Sequence, residues 1–303
     1  MSSGHAFALE PPAVAAAVRD ACMTDVRAFK PGNVSFASPG HGMRAEDFVA
    51  SADVMAAAIA APAAGTGERI VRAIQATRAV VPFNTNLGIV LLCAPLVQAA
   101  TASSEEPGLR RRLRVVLEAL DIDDADLAYR AIRMAEPGGL GRSERHDVTE
   151  APHVTLREAM GEARGRDRIA QQFVTDFKDV FETGLPALRH GIARWHSRTW
   201  AAVHAYLVFL ARFADSHVSR KHGEEIAASV SMQARELNQA LDRSHDPALE
   251  MPALEAFDRQ LKARSINPGT SADLTVATLV AMDLQDSLDE VSQGSRAEVG
   301  ASG

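Results

Sequence analysis

Leu-Gly-Ile-Val-Leu-Leu-Cys-Ala-Pro-Leu-Val, residues 87–97, is the longest apolar run in the chain, and its reading decides the fold class. The run is too short for the roughly 20 apolar residues that a membrane-crossing helix needs, and a proline interrupts it. Together with the residues that follow, it predicts a helix over 87–101. Outward from it, helix-period patterns place further helices at about 11–28, 45–60, 67–81, 107–119, 123–134 and 155–163. Others fall at about 166–190, 197–213, 219–242, 247–263 and 271–287. No alternating β-branched run is long enough for a strand, and no fixed-period repeat marks a solenoid. The expected fold is all-α: one compact domain of about twelve helices over residues 1–289, with a flexible tail over 290–303.

The chain has 303 residues, 47% of them hydrophobic and 5% aromatic. A chain of this size buries roughly 75% of its unfolded surface and needs no covalent or metal staple. Abundant alanine suits closely packed helices. A net charge of −7 argues against a nucleic-acid reader. The one basic run, "LRRRLR" at 109–114, reads as a solvated helix face. Cys22 and Cys93 lie in apolar stretches outside any CxxC pair, which predicts buried small hydrophobes. Trp195, Trp200, Tyr206, Met55 and Met232 read as core or interface residues. With neither a leader pattern nor a membrane span, the expectation is a cytoplasmic protein.

Five connections carry more polar chemistry than a helix turn needs. They are "KPGNVSFASPGHG", "PFNTNLG", "EPGGLGRSERHDV", "ADSHVSRKHG" and "SINPGTSAD". Several run straight into a helix start, where free N–H groups and the helix dipole favour anions. In "RKHGEEIA" the cations Arg220 and Lys221 are placed to hold a polyphosphate by charge-assisted hydrogen bonds. Asp47, Asp147, Asp176, Glu182, Asp215 and Asp273 lie in or near these loops as a group of acids suited to magnesium. There is no GxxxxGK[ST], no GxGxxG after a strand and no HExxH, so phosphate binding would be of another type.

These loops, in this order, resemble the triphosphoribosyl-dephospho-CoA synthase family. The resemblance is carried by "KPGNVS" at 30–35, "DFVASA" at 47–52, "NTNLGIVLL" at 84–92, "GGLGRSERHDV" at 138–148, "FKDVFETGLPAL" at 177–188, "DSHVSRKHG" at 215–223 and "NPGTSADL" at 267–274. It covers about residues 12–285. Better-known members have Asn-Thr-His-Lys-Gly where this chain has Asn84-Thr85-Asn86-Leu87-Gly88, a variation similar to a divergent branch in archaea and methylotrophic bacteria. The resemblance implies an all-α transferase that uses ATP with Mg2+ and joins its ribose triphosphate to 3'-dephospho-CoA, releasing adenine.

That chemistry needs a base for the attacking hydroxyl, a proton for the purine and a carboxylate near the cationic ribose. The triphosphate serves as a handle. Asp47, His146, Asp147 and Asp215 are the expected catalytic residues. The nucleotide-binding set is Lys30, Gly32, Asn33, Asn84, Thr85, Asn86, Gly88, Arg145, His217, Arg220, Lys221, Gly269 and Ser271. Asp215 and Asp273 are the expected magnesium ligands. The implied partners are small molecules, with neither nucleic acid nor membrane, and a homodimer is left open. Two rival expectations are a His-Asp metal-dependent phosphohydrolase built on His146, Asp147, His41 and Asp215, and the same fold acting on a one-carbon cofactor precursor. A non-catalytic scaffold would leave five polar loops unexplained.

Overall fold

The computed structural model describes residues 6–143 and 145–301. Among them lie α1 (Pro11–Arg27), α2 (Ala45–Ile59), α3 (Thr66–Val80), α4 (Leu87–Thr101), α5 (Leu109–Glu118), α6 (Ile122–Ala135) and α7 (Leu156–Ala163). The chain continues through α8 (Arg168–Val174), α9 (Leu185–Trp195), α10 (Arg198–Arg212), α11 (Ser216–His222), α12 (Glu224–Arg243), α13 (Met251–Ala263) and α14 (Gly269–Ala301). The described residues contain no strand, only isolated bridges such as Ser35 with Ser38. The protein is all-α, as its periodicity dictates.

The apolar run at 87–97 opens α4, whose residues are buried except for Gly88, Gln98 and Thr101. A helix apolar on every side belongs inside a protein, and α4 lies between α14, α1, α3 and α5. Helices α1, α2, α3 and α6 pack in succession on one flank, while α9, α10 and α12 pack on the other. α14 joins the flanks by touching α1, α4 and α10. Its buried Thr275 and Thr278 hydroxyls donate to the carbonyls of Ser271 and Leu274 (2.8 and 2.7 Å), so neither is left unsatisfied inside the core.

Three helices differ from their expected spans. The segment expected as one helix over 166–190 breaks after α8, where Asp176 and Phe177 take positive φ and Phe177 N–H reaches back to the Gln172 carbonyl (3.0 Å). A π turn, Val180–Gly184, then leads into α9. The segment expected at 219–242 is split by Gly223 (φ +90°), which separates the short α11 from α12. The last helix runs on to Ala301, through most of the stretch expected as a tail, because no proline follows Gly269 to stop it. Residues 302–303 lie outside the described residues.

Two side chains also differ from expectation. Met232 is 60% exposed rather than core. Arg112, read as part of a solvated face, is buried and donates to the carbonyls of Phe7, Ala102, Ser104 and Glu106. Helical spacing turns this one arginine inward while Arg110, Arg111 and Arg114 pair with acids at the surface. Cys22 and Cys93 are free and buried, as expected. No helix among the described residues is long and apolar enough to cross a membrane.

Candidate active site

All five polar loops open onto one cavity of about 680 Å³. Their convergence is held by bonds between segments far apart in sequence. Asn33 Nδ2 donates to Asn267 Oδ1 (3.0 Å), tying the first loop to the last. Tyr206 Oη donates to the Pro31 carbonyl (2.6 Å), and Gly32 N–H donates to Asp258 Oδ1 (2.7 Å). Gly32 has φ +81°, and a Cβ there would meet Leu261, Pro268 and the Ile266 carbonyl. The Pro-Gly turn therefore seats the first loop against α10 and α13. Asn33 and His41 of this loop, and Met43 just after it, line the cavity.

The Asn84-Thr85-Asn86 turn forms a second wall. Asn84 Oδ1 accepts from Leu87 N–H (3.1 Å) at the start of α4, Thr85 Oγ1 lies 2.6 Å from Ser51 Oγ, and Asn86 Nδ2 donates to Thr77 Oγ1 (2.9 Å). These side chains fix the wall to α2 and α3. Gly88 lines the cavity with no side chain because the Asp273 carboxylate fills that space. Gly269 is likewise bare against His217, since a Cβ there would lie 2.5 Å from His217 Nδ1.

Arg145, Arg166, Arg220 and Lys221 line the cavity, and Gly138 and Gly139 lie against Lys221. Arg220 Nη1 reaches Asp167 Oδ2 at 3.5 Å, whereas Lys221 has no acidic partner among the described residues. Burial, then Arg220, lowers the Lys221 amine below its usual range. Burial, then Lys221, Arg220, His41 and His222, holds His217 down to about 3, so its imidazole is neutral at pH 7. Phe83 and Leu140, each 41% exposed, add apolar surface to the same lining.

The carboxylates are divided between scaffolding and cavity. Asp215 caps α11 through Oδ1, which accepts from His217 and Val218 N–H (3.0 and 3.2 Å). Its Oδ2 accepts from Ser271 N–H and Oγ (2.7 and 2.8 Å). Asp215 and Ser271 thus join α11 to α14 and do not line the cavity. Asp147 lines it, but its oxygens accept from Thr149 Oγ1, Ser143 N–H and Thr149 N–H, which pull its pKa down to about 2. Asp273 lines the cavity without a hydrogen-bond donor or an ion-pair partner among the described residues, and desolvation pushes its carboxyl well up.

Of the expected site residues, Asn33, Asn84, Thr85, Asn86, Gly88, Arg145, His146, Asp147, His217, Arg220, Lys221, Gly269 and Asp273 line the cavity. Lys30, Gly32, Asp47, Asp215 and Ser271 do not. Lys30, expected at the phosphates, is 1% exposed and bonded to Asp25 instead. Asp47 Oδ2 accepts from Arg44 N–H (2.8 Å), closing the start of α2. Among the described residues, no three His, Cys, Asp or Glu side chains are placed to hold one metal ion. Of the expected magnesium pair, Asp215 spends both oxygens on protein donors and only Asp273 faces the cavity, and His146 with Asp147 lacks the set a His-Asp hydrolase needs. Sequence reading missed Asp25, Arg166 and Asp167 in the lining and offered His41 only to the rival hydrolase. Asp25 carried one legible signal: it continues the buried α1 stripe of Val14, Val18 and Cys22 at helical spacing.

The comparisons agree with this architecture. A protein from Pseudomonas fluorescens, provisionally named a 2-(5''-triphosphoribosyl)-3'-dephosphocoenzyme-A synthase, is 32% identical over 148 residues, 48% of this chain and 47% of its own. The 2-(5''-triphosphoribosyl)-3'-dephosphocoenzyme-A synthase of Pectobacterium atrosepticum is 31% identical over 131 residues, 43% of this chain and 39% of its own. The match thus spans less than half the length of either relative. A solved structure from Archaeoglobus fulgidus, provisionally titled a triphosphoribosyl-dephospho-CoA synthase, superposes with a TM-score of 0.58. It covers 78% of this chain and 97% of that one at 23% identity, which carries the fold alone. The family model described as CitG, ATP:dephospho-CoA triphosphoribosyl transferase, matches residues 11–292, so the chain belongs to the ATP:dephospho-CoA triphosphoribosyl transferase family.

Proposed function

We propose that this protein transfers the triphosphoribosyl group of ATP to 3'-dephospho-CoA and releases adenine. The observation that carries the reading is one cavity into which five loops bring several cations and a carboxylate without a hydrogen-bond donor, within a chain of this family. Arg220, Lys221, Arg166 and Arg145 hold the triphosphate, as charge-assisted donors do. The neutral His217 sits between them and Gly269 and offers a ring N–H to a polar group of the nucleotide. Phe83, Leu140 and Met43 give the purine or the pantetheine arm an apolar surface. Magnesium enters with the nucleotide's phosphates, which supply the oxygen ligands it prefers.

Such a cavity binds the phosphates equally in ground and transition states, so they anchor the substrate while rate comes from groups near the anomeric carbon. The test is incubation with ATP, Mg2+ and 3'-dephospho-CoA, with free adenine followed by chromatography and the coupled product by mass. Adenine release that depends on the acceptor is expected. No adenine with either substrate combination refutes the reading.

A further inference from the structure

Asp147, Asp167 and Asp215 each spend both oxygens on protein donors; Asp167 accepts from Ile169 and Ala170 N–H on one oxygen and from Arg220 on the other. Asp25, in the last turn of α1, is used differently. It is 5% exposed and lines the cavity. Its Oδ2 lies 3.0 Å from Lys30 Nζ, while its Oδ1 is buried with no hydrogen-bond partner. Lys30 Nζ also donates to the Asp25 main-chain carbonyl (2.6 Å), and the Lys30 side chain is 0% exposed. The lysine of the Lys-Pro-Gly turn thus holds one aspartate at two points, a carboxylate oxygen and the main-chain carbonyl, and does not line the cavity. A buried carboxylate oxygen without a donor is costly unless a ligand supplies the proton it lacks.

On the transferase reading above, we propose that Asp25 is the base that accepts the proton of the attacking hydroxyl, and that Lys30 is its positioning residue. The hydroxyl oxygen forms a bond to C1 of the ATP ribose as its proton passes to Asp25. The C1–N9 bond breaks and its electron pair leaves with adenine. Adenine takes its proton from the carboxyl of Asp273, a second cavity carboxylate without a donor. Asp25 ends protonated and Asp273 ionised, and exchange of one proton with solvent restores both. Two carboxyls in unlike settings are how one site runs acid and base chemistry together. Asp25 has a cation within bonding distance that favours its charged form, whereas burial and the charges of Asp215, Asp25 and Asp167 raise Asp273 against the opposing charge of Arg220, which makes no ion pair with it. Burial raises Asp25 and Lys30 opposes the rise; the other titratable groups facing it are Cys22 on its own helix, Tyr206 on α10 and Asp273 on α14.

Asp25→Asn keeps the shape and leaves Lys30 an amide oxygen to bond. It is expected to melt within a few degrees of wild type and to bind ATP within about threefold by calorimetry. Its turnover should fall by roughly 10²–10⁴-fold, the usual share of a general base. The acid limb of the wild-type kcat profile should be absent from the residue of activity. If the variant does not fold, Asp25→Asn with Lys30→Met removes both charges and is measured instead. A folded variant turning over within threefold of wild type, or a wild-type kcat flat from pH 4 to 8, overturns the assignment. Wild type releasing adenine while Asp25→Asn does so equally defeats only this assignment; wild type releasing none defeats the transferase reading.

Discussion

The carboxylate of Asp273 occupies the space into which a side chain at position 88 would project. Gly88 lies in the first turn of α4, where alanine would ordinarily stabilise the helix by up to about 1 kcal/mol. Here a Cβ would collide with Asp273 and with Ile169 Cδ1 (2.7 Å). Both obstacles are side-chain ends, so Gly88→Ala is expected to fold and to melt close to wild type, with Asp273 displaced. Adenine release should drop at least tenfold. Unchanged turnover in the variant would show that the position of Asp273 is immaterial.

Arg220 and Lys221 are expected to act on binding more than on turnover. A hydrogen bond to a charged group is worth roughly 1.5–3 kcal/mol, about ten- to a hundredfold in affinity. Arg220→Ala and Lys221→Ala should each weaken ATP by that factor in calorimetry, and the wild-type affinity should fall with added salt. An ATP affinity indifferent to both substitutions would move the phosphates elsewhere.

His217 predicts a pH effect of definite sign. Its folded pKa is depressed to about 3, so between that pH and about 6.5 the unfolded chain carries a proton that the folded chain lacks. Stability from this residue is therefore lost as pH falls from about 6.5 towards 3. The raised Asp25, Asp215 and Asp273 act in the opposite sense, because there the folded state binds the extra proton at acid pH. The difference between wild type and His217→Gln isolates the histidine. Wild type should lose more melting temperature than the variant between pH 7 and pH 5. In NMR the His217 ring should not titrate between pH 5 and 8, and a midpoint in that window would contradict its enclosure among the cations.

Gly32→Ala is expected to destabilise the whole fold. It combines a left-handed φ of +81° with contacts at 2.8 Å to Leu261 and Pro268. The conformational part costs roughly 1–2 kcal/mol and the overpacking about 1–3 kcal/mol. Urea denaturation should show a loss of roughly 2–5 kcal/mol. A loss under 1 kcal/mol would mean the turn relaxes away from α13.

The helices were legible because each buries a stripe of apolar residues at the helical period, which is a local property. α1, α4, α6 and α10 match their expected spans within two residues. The two breaks were not legible. At Asp176 and Phe177 non-glycine residues adopt positive φ while Phe177 is wholly buried in the core, a packing effect that periodicity does not encode. Gly223 was visible as a residue, but only the seating of α11 between α12 and α14 makes it a break. In the site, the type and order of the loops were readable. The assignment of Lys30 to phosphate was not, because a lysine in a glycine turn looks the same whether it faces ligand or a buried aspartate.

By itself the sequence determined the class of the protein: apolar periodicity, alanine content and capped turns commit the chain to helices, and the five loop motifs commit it to a family. Tertiary structure alone decided which of the charged and polar side chains meet in the cavity and which are spent on scaffolding. The physical reason is that a carboxylate's role depends on the donors around it. Those donors come from residues as distant as Asp215 and Ser271, or Asn33 and Asn267, which only folding brings together.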